Sequence, residues 1–448
     1  MLNATDLIVR ELVQDATHAL AGATADYDPL LEFIGDARFV LLGEASHGTH
    51  EFYRQRAQIT KRLIQEKGFA AVAVEADWPD AYRVNRYIRG ASADADAVES
   101  LAGFKRFPAW MWRNADVLDF IGWMRAYNDS LAAGATQIGF YGLDLYSLHA
   151  SIEAVLNYLD TVDPEGAQRA RSRYGCFERF GEDPQEYGYA AGLGLSHTCE
   201  SEVVSQLIDL QRRARQYAQR DGRVAADDFF HAEQNARLVK NAEHYYRTMF
   251  RGRVSSWNLR DSHMVETLES LVEHFALQNQ QIKVVLWAHN SHLGDARATQ
   301  MGRSGEWNVG QLVRQRHGRE CVLIGFTTHG GTVTAASNWG GPAERKTVRP
   351  AMPGSYEALF HDCEIPTFLL TLPRDARVTQ GLREPMLERA IGVIYQPETE
   401  FASHYFQARL SDQFDAVIHF DQTRAVEPLE RTAEWGIGEP AETFPSGV

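Results

Sequence analysis

Four short segments of the chain carry side chains that could move a proton. They are Gly43-Glu44-Ala45-Ser46-His47-Gly48-Thr49-His50-Glu51, Glu75-Ala76-Asp77-Trp78, Leu143-Asp144 and His289-Asn290-Ser291-His292. A lone Glu after a strand is ordinary capping or solvated surface, and a lone His is ordinarily a hydrogen-bonded structural residue. Glu, Glu, Asp and His arriving at four successive strand ends point instead to hydrolysis. An imidazole near its reference pKa of about 6.5 is neutral enough at pH 7 to take a proton from water. A carboxylate on its other nitrogen fixes the tautomer, a second carboxylate can hold the water, and a cation or second His must face the oxyanion that forms. Arg56 lies two turns beyond Thr49 on a predicted helix, placed to point back at Glu44 or Glu75.

The same residues leave rival chemistries open. His47-x-x-His50 and His289-x-x-His292, with Glu44 and Glu75, supply ligand types for a metal-dependent hydrolase, although neither pair belongs to an H-E-x-x-H helix. Ser46 sits in a strand-to-helix turn, but its glycines are spaced G-x-x-S-x-G rather than the G-x-S-x-G of a nucleophile elbow. Rim His and Tyr residues also permit a non-catalytic small-molecule or haem-binding protein. No G-x-x-x-x-G-K-[ST] loop occurs, and no G-x-G-x-x-G follows a strand, so nucleotide chemistry is not expected.

The elements that must position these residues are apolar runs ending in polar or glycine turns: 38–43, 70–74, 137–142, 282–288, 321–327, 367–372, 391–395 and 416–420. Near-continuous apolar strands suit a sheet covered on both faces, and the helical stretches between the early ones suggest right-handed βαβ units. The expected fold is α/β: a central, mostly parallel sheet flanked by helices, with an inserted, largely helical lobe forming one wall of the cleft. The expected division is 1–146, first part of the α/β core; 147–278, the lobe; 279–430, second part of the core; and 431–448, a C-terminal tail, with the chain after Pro428 reading as poorly ordered. Within the lobe, 174–195 reads as an ordered loop.

The chain has 448 residues, 44% hydrophobic and 23% charged, with a net charge of −15 and no Lys/Arg run of the kind that marks a phosphate-binding patch. That balance argues against nucleic-acid or anionic-membrane partners. Asp6, Arg10, Glu11 and Asp15 interrupt any apolar leader core, and nothing approaches the roughly 18 apolar residues of a membrane span. Cys176, Cys199, Cys321 and Cys363 form no C-x-x-C pair and read as reduced packing thiols. A cytoplasmic enzyme without a cofactor or metal is the expectation, its oligomeric state unreadable.

The motifs in order resemble the erythromycin esterase family: GEASHGTHEF at 43–52, VEADW at 74–78, RFPAWMWRN at 106–114, GLDLYS at 142–147, WNLRDSHM at 257–264, WAHNSH at 287–292 and AERKT at 343–347. The segments LERAIGVIYQPETEFASHYF at 387–406 and FDAVIHFDQTRAVEPL at 414–429 extend the resemblance, which runs from about residue 33 to 430. It implies an α/β core with a helical lobe and a cleft between them. It further implies His47 as general base, Glu44 and Glu75 as supporting carboxylates, Arg56 as their arginine, and His289 and His292 as the later pair. On this reading His289 stabilises the oxyanion or protonates the leaving alcohol, and His292 supports it. Trp112, Arg113, Asp144 and Arg260 are expected to line the cleft for substrate, with Asp261 beside them; Trp110 and Trp112 could equally pack the lobe onto the sheet. The implied substrate is a small-molecule ester or lactone, macrolide macrolactones being those for which the family is known.

Overall fold

A computed structural model describes residues 4–181, 183–218, 223–250, 252–278 and 280–437. Eleven strands form in chain order: β1 Thr17–Ala19, β2 Phe39–Leu42, β3 Ala71–Asp77, β4 Gly139–Asp144, β5 Val284–Trp287, β6 Cys321–Ala335, β7 Glu344–Val348, β8 Thr367–Thr371, β9 Met386–Arg389, β10 Tyr405–Ala408 and β11 Ala416–Thr423. Nine of them make one sheet in the order β1-β8-β11-β6-β2-β5-β3-β4, with β7 paired to β6 off this path. The run from β11 to β4 is parallel; β1, β8 and β7 join antiparallel. β9 and β10 form a separate antiparallel pair.

The mostly parallel sheet flanked by helices is the fold class expected from the apolar runs, and its cause is visible in β2. Phe39 and Leu41 face one core, Val40 and Leu42 the other, and all four are fully buried. Each such side chain contributes roughly 1.5–3 kcal/mol of burial, so a four-residue strand is fixed by what packs on both faces rather than by its length. Helices Asp28–Ile34, His50–Lys67, Trp78–Ile88 and Ala115–Ser130 supply residues to the Val40 side. Helices Leu148–Val162, Pro164–Tyr174, Pro184–Gly192, Glu200–Ala218, Arg223–Met249 and Arg253–Leu277, all between β4 and β5, supply the other. The helix His50–Lys67 stops at Gly68, whose φ of 71° is the left-handed cap that an L side chain resists.

Several expectations are corrected. Ile391–Tyr395 is no strand: it divides its backbone hydrogen bonds, Ile391 reaching Ala45 and His47 while Val393 and Tyr395 reach Ala336. The segment 174–195 is not a loop throughout, since Pro184–Gly192 is helical, started by Asp183 capping the Gln185 N–H and by Pro at the first position. Cys176 and Cys199 are not free thiols but are bonded to each other, while Cys321 and Cys363 are free and buried. The tail does not lose structure after Pro428: Ala433–Ile437 is helical, and Trp435 is buried, its Nε1–H donating to Thr334 Oγ1 at 2.8 Å. The rest of that tail, 438–448, lies outside the described residues. No helix among the described residues is long and apolar enough to cross a membrane.

Candidate active site

The turn after β2 is held by backbone from four directions. Gly48 O accepts from Thr334 N at 3.0 Å and Val426 N at 2.8 Å, Ala45 O from Ile391 N at 2.8 Å, and Glu44 O from Asn290 N at 2.8 Å. A Cβ on Gly48 would stand 1.8 Å from Thr334 O, so only glycine admits this approach. The turn therefore presents Glu44 and His47 in a fixed relation. His47 Nδ1 lies 2.9 Å from Glu44 Oε1, and Glu44 Oε2 lies 2.6 Å from Arg56 Nη2. Arg56 is 1% exposed, with its guanidinium over the rings of Tyr53 (4.5 Å) and Trp287 (5.0 Å). A buried guanidinium so packed has no solvent to turn to, which keeps the Glu44 carboxyl in place beneath the imidazole.

Glu75, at the tip of β3, belongs to a second network. Arg260, from the helix Arg253–Leu277, bonds Glu75 Oε1 through Nη2 at 2.7 Å and Asp144 Oδ1 and Oδ2 through Nε (3.0 Å) and Nη2 (2.7 Å). Its Nη1 lies 3.0 Å from His292 Nε2, and its guanidinium covers the Tyr146 ring at 4.9 Å. Glu75 Oε2 accepts the His289 backbone N–H at 2.9 Å. Burial raises the Glu75 pKa, but His292, Arg260, His47 and that N–H outweigh it and hold the carboxyl below its ordinary range. His292 Nδ1 rests between the Asp261 oxygens at 2.9 and 3.0 Å, and its ring stacks on Trp257 at 4.5 Å. Burial lowers the His292 pKa, yet Asp261 and Glu75 carry the net shift upward.

His289 is the opposite case. Its Nδ1 accepts the Ser291 backbone N–H at 3.2 Å and lies 2.8 Å from Ser291 Oγ, so in the neutral ring the proton sits on Nε2. Nε2 is buried and makes no hydrogen bond, and the ring lies 4.9 Å from that of His47. Burial, then His47, push the His289 pKa down to about 3, against Glu75 and the Ala45 carbonyl. The result is a neutral N–H donor that feels the Ala45 carbonyl but forms no full hydrogen bond, beside the imidazole that Glu44 orients. Nitrogen-15 NMR is expected to find His289 neutral and protonated on Nε2 from pH 8 down to about 4; titration near 6.5 would contradict this arrangement.

His47, Glu75 and Arg260 form the junction of a cleft. They line a chamber of about 170 Å³ with Trp112 and Asp144, and also an arm of about 470 Å³ that reaches His289, Ser291 and His292. Through Asp77, Asp80, Arg106, Phe107, Tyr146 and Trp339 the chamber continues into a groove of about 860 Å³. Arg106 bonds Asp77 Oδ2 at 2.8 Å; burial, then neighbouring Asp77, raise Asp80 to about 7. Phe107 and Trp339 meet edge to face at 5.1 Å where chamber and groove join.

The structure thus brings together Glu44, His47, Arg56, Glu75, Asp144, Arg260, His289 and His292, and places Trp112 on the chamber wall. It does not bring Arg113, which turns away to pair with Glu430. His50 is likewise elsewhere, its Nδ1 2.8 Å from Asp116 Oδ2. Ser46 is 1% exposed, hydrogen-bonded to Thr49, and lines no part of the cleft. Reasoning from the sequence missed Ser291, which sets the His289 tautomer, and Trp257, which seats His292. It also missed Arg106, Asp80 and Tyr146 on the groove. Ser291, Trp257, Arg106 and Tyr146 all lay inside the quoted motifs, and only Asp80 fell outside them, two residues past VEADW.

The erythromycin esterase profile matches residues 64–423, a span that takes in Glu75, Asp144, Arg260, His289 and His292 but begins after Glu44, His47 and Arg56. Erythromycin esterase type II of Escherichia coli is 23% identical over 410 residues, covering 84% of this chain and 93% of the relative. A crystal structure described as a succinoglycan biosynthesis protein superposes with a TM-score of 0.74 at 21% identity, covering 95% of this chain and all of the other. An erythromycin esterase mutant in its open conformation gives 0.64 at 19% identity, covering 90% and 94%. At these identities the two structures speak to the fold.

Proposed function

Because the chain belongs to the erythromycin esterase family, we propose that this hydrolase cleaves a carboxylic ester or lactone, a macrolide macrolactone among the candidates, with a water activated by His47. The observation that carries this reading is the chain Arg56–Glu44–His47, which fixes the imidazole by its Nδ1 and leaves the ring lining the chamber. With Nδ1–H donated to Glu44, the lone pair is on Nε2. There it takes a proton from water as the hydroxide adds to the carbonyl carbon. The carbonyl oxygen becomes an oxyanion facing the His289 Nε2–H. Collapse of the tetrahedral intermediate breaks the C–O bond, and the His47 imidazolium returns its proton to the departing alkoxide. Glu44 stabilises the imidazolium meanwhile, while Arg260 and Glu75 hold the opposite wall. No covalent acyl-enzyme is formed, and the products are a carboxylic acid and an alcohol.

The forked cleft supports a bulky substrate lying across the junction, since its groove falls within the roughly 300–1,000 Å³ of small-molecule sites. Trp339 is 61% exposed on that groove. Trp339→Ala is expected to cost no more than about 1.5 kcal/mol of stability, the upper worth of its contact with Phe107, and to raise KM for a large lactone roughly 2- to 10-fold, the worth of one aromatic contact. KM for a small aryl ester should not move, and equal effects on both would remove the groove from substrate binding. The reading as a whole is tested by incubating the purified protein with macrolides and simple aryl esters and following acid release, with a fluorophosphonate probe in parallel. Hydrolysis without labelling is expected; labelling of Ser46 with loss of turnover would overturn it.

A further inference from the structure

A second cluster of ligand-type side chains stands apart from the cleft, on β6 and β11. The register pairs His419 with Thr327 and Gln422 with Gly330, so Thr327 and His329 share a sheet face with His419 and Asp421. The helix Tyr356–His361 packs over that face, with Phe360 5.4 Å from the His419 ring, and delivers His361 at its end. His361 Nδ1 lies 2.6 Å from Asp421 Oδ1, and its ring stacks on His329 at 3.7 Å. One donor atom from each of His329, His361 and Asp421 lies within 4.8 Å of the other two. They are the only such set of three among the described residues.

Two features exceed what a surface His–Asp ion pair requires. His329 Nδ1 is buried without a hydrogen bond. His419, 0% exposed, is fixed through Nδ1 on Thr327 Oγ1 at 2.9 Å, which aims its buried Nε2 at Asp421 Oδ1, 3.8 Å away and beyond a full hydrogen bond. A buried nitrogen left without a hydrogen bond is costly, so His329 Nδ1 beside this cluster calls for an explanation.

We propose that His329, His361 and Asp421 bind one divalent cation of the zinc type, with His419 orienting the Asp421 carboxylate. Two neutral imidazoles and a carboxylate are donors that zinc accepts at about 2.0–2.2 Å in tetrahedral geometry, which sets ligand atoms roughly 3.3 Å apart. Binding opens the His361–Asp421 contact by that difference and turns the His361 ring out of its stack, because a metal lies in the plane of the imidazole it binds. His361 is free to turn, its side chain being 46% exposed at a helix end. Its exposure leaves water to complete the coordination. A carboxylate ligand is commonly fixed by a neighbouring donor, the part the buried His419 would take.

The consequence is structural. Five residues beyond His329, Thr334 donates to Gly48 O, and just beyond β11 Val426 donates to the same oxygen. A cation between β6 and β11 therefore clamps the two chain segments that hold the turn of Glu44 and His47, without touching the cleft. The test is to strip the protein with chelator, titrate zinc by calorimetry, count bound zinc by mass spectrometry after dialysis, and record Tm. One zinc per chain and a Tm higher by a few degrees are expected. His361→Ala, at an exposed position that leaves the fold intact, and Asp421→Asn should each weaken binding at least 10-fold and abolish the Tm rise. Absence of stoichiometric zinc, or equal affinity in wild type and both variants, would overturn the proposal.

Discussion

His47→Ala is expected to lower kcat/KM for any ester the protein hydrolyses by about 10²–10⁴-fold, the range a positioned general base supplies. The Tm should move little, because the ring has only Glu44 as a hydrogen-bond partner and faces the chamber. The loss should fall on kcat rather than KM, since the imidazole acts in the transition state and is not needed to hold the substrate. Glu44 sharpens the reading. Glu44→Gln leaves Arg56 buried without its carboxylate, so it should lose both activity and stability, whereas the His47 variant loses activity alone. A His47→Ala protein that retains substantial turnover would remove this residue as the base.

Arg260→Met is expected to have the largest effect on stability, about 3–5 kcal/mol, the scale for removing one partner of a buried ion pair. Here one guanidinium serves two carboxylates, Glu75 and Asp144, side chains that are 4% and 3% exposed. Without it both are buried charges short of compensation, and the surviving protein should hold them by taking up protons. Adding Asp144→Asn should recover part of the loss, and thermal or denaturant unfolding of the three proteins measures it. The pH dependence has a defined sign. The folded pKa of Glu75 is depressed below its ordinary 4.5. Its contribution to stability is therefore complete above about pH 4.5 and is lost as pH falls from there through the depressed value. Arg260→Met should reduce that acid-side slope, with His292, His47 and the His289 N–H keeping the rest; an unchanged slope would mean that Arg260 adds nothing to the ionisation of Glu75.

What the sequence disclosed and what it withheld follow from range. The tips of β2, β3, β4 and β5 were legible because apolar runs buried on both faces announce themselves, and the polar residues ending them are conspicuous. Glu44, Glu75, Asp144 and His289 could be placed on one rim by that argument alone. Partner choice was not legible. Whether Glu44 or Glu75 meets His47 depends on the turn fixed by Gly48, Thr334 and Val426, contacts that span hundreds of residues. Arg260 and Asp261 sit within a 25-residue helix whose approach to the rim no local periodicity encodes. Ile391–Tyr395 looks like a strand by composition yet shares its backbone bonds between two places, a tertiary outcome. Arg113 had the right motif neighbours, but its side chain turns away to Glu430. Cys176 and Cys199, 23 residues apart, come together because the helices between and around them pack, so spacing could not pair them.

The most direct test is a crystal structure with a non-hydrolysable anionic phosphonate that mimics the tetrahedral intermediate. One phosphonate oxygen is expected within about 2.7–3.1 Å of His289 Nε2, with another, or the water it replaces, at hydrogen-bond distance from His47 Nε2. A phosphorus bonded to Ser46 Oγ, or a metal ion bridging His47 and His289 to the phosphonate, would contradict the account.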